Sequence, residues 1–122
     1  MIARTVVALV ALAAGSAASA QWVPGMEITG QHVEVETDGI LNHVFFESGG
    51  TAEITSPSGA IVVNASWTAG DGKLCLKTDR TFDCYPYQAP FSARVPVQLI
   101  SDCGVISRWT ALTTYVAPYE RG

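Results

Sequence analysis

From residue 31 onward, apolar and polar side chains alternate with a period of two, and no stretch sustains the 3.6-residue period of a helix. Val33-Glu34-Val35-Glu36-Thr37 is the plainest run, and Thr51–Thr55 and Lys73–Lys77 repeat the pattern. Valine, isoleucine, threonine and aromatic residues dominate these runs, the types that suit a half-buried pleated surface. Turn signals recur roughly every 8–12 residues: Asp38-Gly39, Gly49-Gly50, Ser56-Pro57-Ser58-Gly59, Gly70-Asp71-Gly72, Asp79-Arg80 and Asp102-Cys103-Gly104. They predict eight strands at about 31–37, 40–47, 51–55, 60–68, 73–78, 82–87, 94–100 and 105–116. The expected fold class is all-β, a small antiparallel meander closed into a barrel, with a β-sandwich as the alternative. Residues 88–93, which contain Pro90 and follow Pro86, form the longest irregular link.

Two hairpins can be registered by arithmetic. If Asp38-Gly39 is a two-residue type I′ loop, paired positions sum to 77. Val33 then faces Val44 and Thr37 faces Ile40 on one side of the sheet. His32 faces Phe45, Glu34 faces His43 and Glu36 faces Leu41 on the other. If Asp79-Arg80 is a two-residue loop, pairs sum to 159 and Cys75 lies opposite Cys84. That is a non-hydrogen-bonded pair, where Cα atoms approach to about 4.5 Å, within reach of a disulfide. Cys75–Cys84 is therefore the expected bond. Cys103 is left as a free, partly buried thiol, with no basic neighbour in sequence to activate it. Three cysteines without C-x-x-C spacing also argue against structural zinc.

The first twenty residues break the alternation. Met1-Ile2-Ala3-Arg4 gives a positive start, Val6–Ala14 is a short apolar run, and Ala18-Ser19-Ala20 carries the small residues signal peptidase requires. Residues 1–20 read as a signal peptide and 21–122 as one β-domain, exported to the periplasm or the medium. An apolar run of nine residues is too short to span a bilayer, and no later segment resembles a membrane span. Export implies an oxidising compartment, consistent with a disulfide.

Composition changes the picture in two places. The chain is 48% hydrophobic, but fifteen of the first twenty residues are apolar against 44 of the remaining 102, an ordinary globular value. The formal charge of −4 becomes −5 once Arg4 is removed. Residues 21–70 hold Glu27, Glu34, Glu36, Asp38, Glu47 and Glu53 without a single lysine or arginine. That half reads as a solvated acidic face; the alternative is attraction of a cationic partner. Seven lysines and arginines in all leave no basic footprint for nucleic acid.

His32, Glu34 and His43 share one face of the first hairpin, with Glu36 adjacent. Two imidazoles and a carboxylate are a ligand set for zinc or another borderline metal. The plainer reading is a surface Glu34–His43 pair beside a solvated His32. Nucleophilic catalysis has no footing, since there is no G-x-S-x-G elbow and no serine at a spacing that suggests a triad. No two acids stand out as a glycosidase pair. Trp67 follows Ile61, Val63 and Ala65 at period two and belongs to an apolar face. Leu74, Leu76, Tyr85 and Tyr87 share a face opposite Lys73, Lys77 and the disulfide. These aromatics read as core; lining a lumen for a small apolar ligand is the alternative.

The run Ile28-Thr29-Gly30-x-x-Val33, then Asp38-Gly39, Val44-Phe45-Phe46, Gly49-Gly50-Thr51, Ser66-Trp67, Gly72-Lys73-Leu74-Cys75-Leu76 and Cys84 resembles a group of small secreted bacterial β-domain proteins of unknown function. The resemblance covers residues 28–87. It implies an exported β-domain with a paired-cysteine hairpin, no activity and no functional residue to carry over. The expectation is an exported, non-catalytic envelope protein that acts as a binding or interaction module. A periplasmic hydrolase inhibitor and a small apolar-ligand carrier are the alternatives. No catalytic residue and no cofactor are expected. The partner, an envelope protein or a small molecule, is not named by the sequence.

Overall fold

The computed structural model describes residues 21–115. The expected signal peptide at 1–20 and residues 116–122 lie outside the described residues. Eight strands follow in order: β1 Gln31–Thr37, β2 Ile40–Phe46, β3 Thr51–Thr55, β4 Val62–Gly70, β5 Lys73–Lys77, β6 Phe82–Pro86, β7 Val97–Ile100 and β8 Ile106–Ala111. All pairings are antiparallel, in one sheet of order β6-β5-β4-β3-β2-β1-β8-β7 that curls into a nearly closed barrel. The described residues contain no helix, so none is long and apolar enough to cross a membrane.

Both registers worked out from the turns are observed, Val33 with Val44 and Cys75 with Cys84 among them. Asp38 (φ 52°) and Gly39 (φ 79°) are both left-handed, the condition a type I′ turn imposes and the reason Asp-Gly suits it. The Asp79-Arg80 loop has neither residue left-handed. Instead the Thr78 hydroxyl accepts from the amides of Arg80 (3.1 Å) and Thr81 (3.0 Å), a side-chain mimic of the turn.

Three strands differ from the alternation by two residues or more. β7 begins at Val97, three residues later than expected, because Arg94 sits at φ 66° and Pro96 has no N–H for the ladder. β8 ends at Ala111 rather than continuing to 116. β4 starts two residues late and extends to Gly70, where Gly70 still pairs with Lys73.

The sheet closes because its inner face mixes very large and very small side chains. Phe46 and Trp109 are fully buried beside Ala52, Ala65 and Ala111, which leave them room. Phe91 stacks on Trp109 at 6.0 Å, and Tyr85 meets the same indole edge-on at 4.9 Å. Phe46 meets Trp67 edge-on at 5.1 Å. The interior is thus filled by aromatic rings. At the seam between β6 and β7, Asp102 N–H donates to the Cys84 carbonyl (2.9 Å), and Cys84 N–H donates to Asp102 Oδ1 (3.2 Å).

One barrel end is plugged by the turns of residues 22–30. Gly25 lies so close to Trp67 that a Cβ there would stand 2.9 Å from the indole, so no larger residue fits. Glu27 follows it and is only 4% exposed. Its Oε1 accepts from Trp22 Nε1 (2.9 Å), and its Oε2 accepts from Tyr87 Oη (2.5 Å) and the Phe91 amide (2.8 Å). The Tyr87 hydroxyl in turn accepts from Gly25 N–H (3.0 Å). Burial first, and the Glu27 carboxyl second, push the Tyr87 phenol well above its ordinary range, so it remains the donor. Glu27→Ala strands three donors in the interior and is expected to cost on the order of 3–5 kcal/mol in urea denaturation, whereas Glu27→Gln, which keeps an acceptor, costs about 1–2 kcal/mol. A Glu27→Ala loss below about 1 kcal/mol would show that these bonds do not hold the plug.

Candidate functional site

The cysteine hairpin is as the register requires. Cys75 and Cys84 are disulfide-bonded with Cα atoms 4.0 Å apart. The bond ties β6, which borders the seam, to the body of the sheet. Cys103 is free, but it is exposed rather than partly buried: it stands at the tip of the β7–β8 turn, where Gly104 donates to the Ser101 carbonyl (2.9 Å).

The histidine face has the expected register but does not form a ligand cluster. Glu34 faces His43, and His32 faces Phe45. The His32 ring packs on Phe45 with centroids 4.7 Å apart. His32 and His43 border a shallow depression of about 390 Å³ with Phe45, Glu53 and Thr55, so Glu53 rather than Glu34 adjoins the two imidazoles there. Glu36 is paired instead with Arg108 (2.9 Å), an exposed pair of small energetic weight. Among the described residues, the one trio of metal-ligating side chains whose ligand atoms lie within 4.8 Å of one another is Asp83, Asp102 and Cys103. None of the three belongs to the histidine set.

This trio lies at the barrel end opposite the plug. In an up-and-down meander the β1–β2, β3–β4, β5–β6 and β7–β8 turns all fall at one end, and this end carries most of the large exposed apolar side chains. The first turn contributes Ile40 (56% exposed), the second Ile61 (64%) and Val62, the third Phe82 (58%), and the fourth Ile100, Val105 and Ile106 (55%). Val23, Val95 and Tyr115 lie elsewhere, and Val63 is within β4. Ile100 and Ile106 are cross-strand partners, and Phe82 faces Lys77. Alternation placed Ile61 and Val63 with Trp67 on a buried face. Both are exposed instead: Ile61 lies before β4, and Val63 stands near its start.

Charge at this end is unbalanced. Asp38, Asp79, Asp83 and Asp102 stand against Lys77 and Arg80. Two neighbouring groups register the resulting field. Asp102 beside it is the main cause that pushes the Cys103 thiol up, followed by burial and then Asp83. Burial, then Asp83, does the same to the Tyr85 phenol. Sequence reasoning missed this site because its parts lie on four turns; it also missed Glu27, which it counted among solvated acids. No protein-family model, curated protein or solved structure matches this chain. The thiol supplies a direct check. Without reductant one thiol per chain should react with iodoacetamide, at a rate that rises only above the ordinary thiol range, and Asp102→Asn should move that rise to lower pH; an unmoved profile would mean the field has another source.

Proposed function

We propose that the protein is an exported, non-catalytic binding module that docks another macromolecule of the envelope onto its apolar end. The observation that carries this reading is the gathering of exposed isoleucine, valine and phenylalanine side chains on four adjacent turns. Scattered apolar residues on a surface need no explanation, whereas seven of them at one end of one small barrel favour an interaction site. Covering it removes apolar area from water at about 25 cal/mol per Å², the term from which association draws its driving force.

Other features support the same reading. The sheet is cross-linked and its far end is plugged, so the docking turns are presented on a rigid frame and little ordering entropy opposes binding. The aromatic filling of the barrel weighs against a carrier of small apolar ligands, and the tightness of the four turns weighs against an inhibitor that inserts a protruding loop. The disulfide and the signal-like segment at residues 1–20 support a periplasmic or secreted location.

The test is site-specific photocrosslinking in the native envelope. A photoreactive amino acid at position 82 should give a discrete adduct that disappears when Ile61→Ser and Ile106→Ser are added, while the same group at position 53, on the barrel wall, gives none. Equal labelling from both positions, or an adduct indifferent to the serine substitutions, would contradict the proposal.

A further inference from the structure

We infer that a depression at the seam between β6 and β7 binds a small neutral molecule with an apolar body and one carbonyl or ether oxygen, and that Trp109 Nε1–H donates to that oxygen. The site is separate from the apolar end, so neither role depends on the other. Its chemistry follows from the three indole N–H groups of the barrel. Trp22 Nε1 donates to Glu27 Oε1 (2.9 Å), and Trp67 Nε1 donates to the Glu47 carbonyl (2.9 Å). Trp109 is fully buried, yet among the described residues its Nε1 is the one buried side-chain polar atom without a partner. Native structures satisfy nearly all such donors, so an acceptor that arrives with a ligand is a specific account of this exception.

The seam brings a cavity to this indole. β6 and β7 are the two ends of the sheet order and do not pair. Cys84 turns its main chain toward β7 and exchanges bonds with Asp102. Pro86, two residues on, faces the same way and has no N–H to continue the ladder. The gap that follows is a depression of about 300 Å³, at the lower end of ligand-pocket size, walled by Pro86, Tyr87, Pro90, Phe91, Val97 and Leu99. Two of these walls are also neighbours of the indole: Phe91 stacks on it, and Val97 is the cross-strand partner of Trp109. The Phe91 and Trp109 rings are nearly parallel (11°), with centroids 6.0 Å apart. Rings in contact lie about 3.5–4 Å apart, so the two are offset sideways and Phe91 overlaps only part of the indole. A rotation of the Phe91 side chain, with its amide still on Glu27, lets an oxygen from the depression reach Nε1 in the bound state.

The walls select the ligand class. Among the described residues no Asp, Glu, Lys or Arg borders the depression, so a charged molecule would lose hydration there without gaining a counter-charge. The wall donors Tyr87 Oη and Phe91 N–H are committed to Glu27. Gln88, which also borders the depression, is exposed to water and lies over Gly72. Trp109 Nε1–H is the donor left on the inner side. The molecule's body stays at the seam, and only its oxygen reaches the edge of the filled interior.

The experiment follows the three indole N–H signals of the isotope-labelled, disulfide-bonded protein by NMR, with binding of each probe measured by saturation transfer. The probes are cyclohexanone and methylcyclohexane, which has nearly the same shape without an oxygen. Cyclohexanone should move the Trp109 indole proton downfield to a plateau and leave those of Trp22 and Trp67 in place; methylcyclohexane should not move it downfield. Trp109→Phe keeps an aromatic ring without the donor and should weaken cyclohexanone binding at least about fivefold, with methylcyclohexane changed less than about twofold. Should that variant fail to fold, Leu99→Phe, which narrows the depression and retains the indole, should weaken cyclohexanone binding about tenfold. Ile106→Ser at the apolar end should leave both titrations unchanged. A Trp109 proton that stays in place at saturating cyclohexanone, that moves equally with methylcyclohexane, or that is already hydrogen-bonded to a bound water in the free protein would overturn the assignment. Cyclohexanone binding indifferent to Leu99→Phe would place the molecule elsewhere and overturn it too.

Discussion

A single buried carboxylate, that of Glu27, ties together three separate parts of the chain that otherwise meet through ring contacts of Tyr87 and one backbone bond to its hydroxyl. It accepts from Trp22 in the leading segment, from Tyr87 at the end of β6, and from the amide of Phe91 in the long link. Its backbone carbonyl also accepts from the Tyr115 amide, beyond β8. A polar group with this little access to water is tolerated only when its hydrogen-bonding capacity is used. The constraint runs in both directions: the donors fix the carboxylate, and the carboxylate fixes Tyr87 and Phe91 over the aromatic interior. Phe91 in turn covers Trp109, the largest fully buried side chain of the barrel.

With that end sealed, the ends of the barrel are physically different. At the plugged end the leading segment and the ten-residue β6–β7 link turn inward around Glu27, beside the short β2–β3 and β4–β5 turns. At the other end the four hairpin links span two to six residues. The register puts Phe82, Ile100 and Ile106 on the outer face of the sheet, whereas Ile40 shares the inner face with Val44 and is exposed at the rim. The disulfide and the Asp102–Cys84 bonds hold the seam next to this surface.

Local features were legible in the sequence, and convergent ones were not. Alternation and turn chemistry fixed the all-β class, the registers of two hairpins and the Cys75–Cys84 bond, because strand pairing is decided by neighbours within about ten residues of one another. The start of β7 was missed because the left-handed conformation of Arg94 leaves no mark in composition, although Pro96 just before Val97 marked it. Glu27 looked like one more solvated acid because its donors Tyr87 and Phe91 lie 60 and 64 residues away. His32, Glu34 and His43 were correctly placed on one face, but side-chain packing turns His32 onto Phe45 instead of toward a shared ligand. The apolar end was the least legible, since no single turn carries a signal and only closure of the meander assembles them.

The most direct test of this account is amide hydrogen exchange at Phe91. Its N–H belongs to an irregular link outside any strand, yet it is bound to a buried carboxylate. If Glu27 holds the plugged end together, the Phe91 amide should exchange as slowly as that of Val44 in the centre of the sheet, by opening of the whole barrel. If it exchanges as fast as its exposed neighbours Ser92 and Ala93, the plug opens on its own and the carboxylate is not the constraint on which the fold depends.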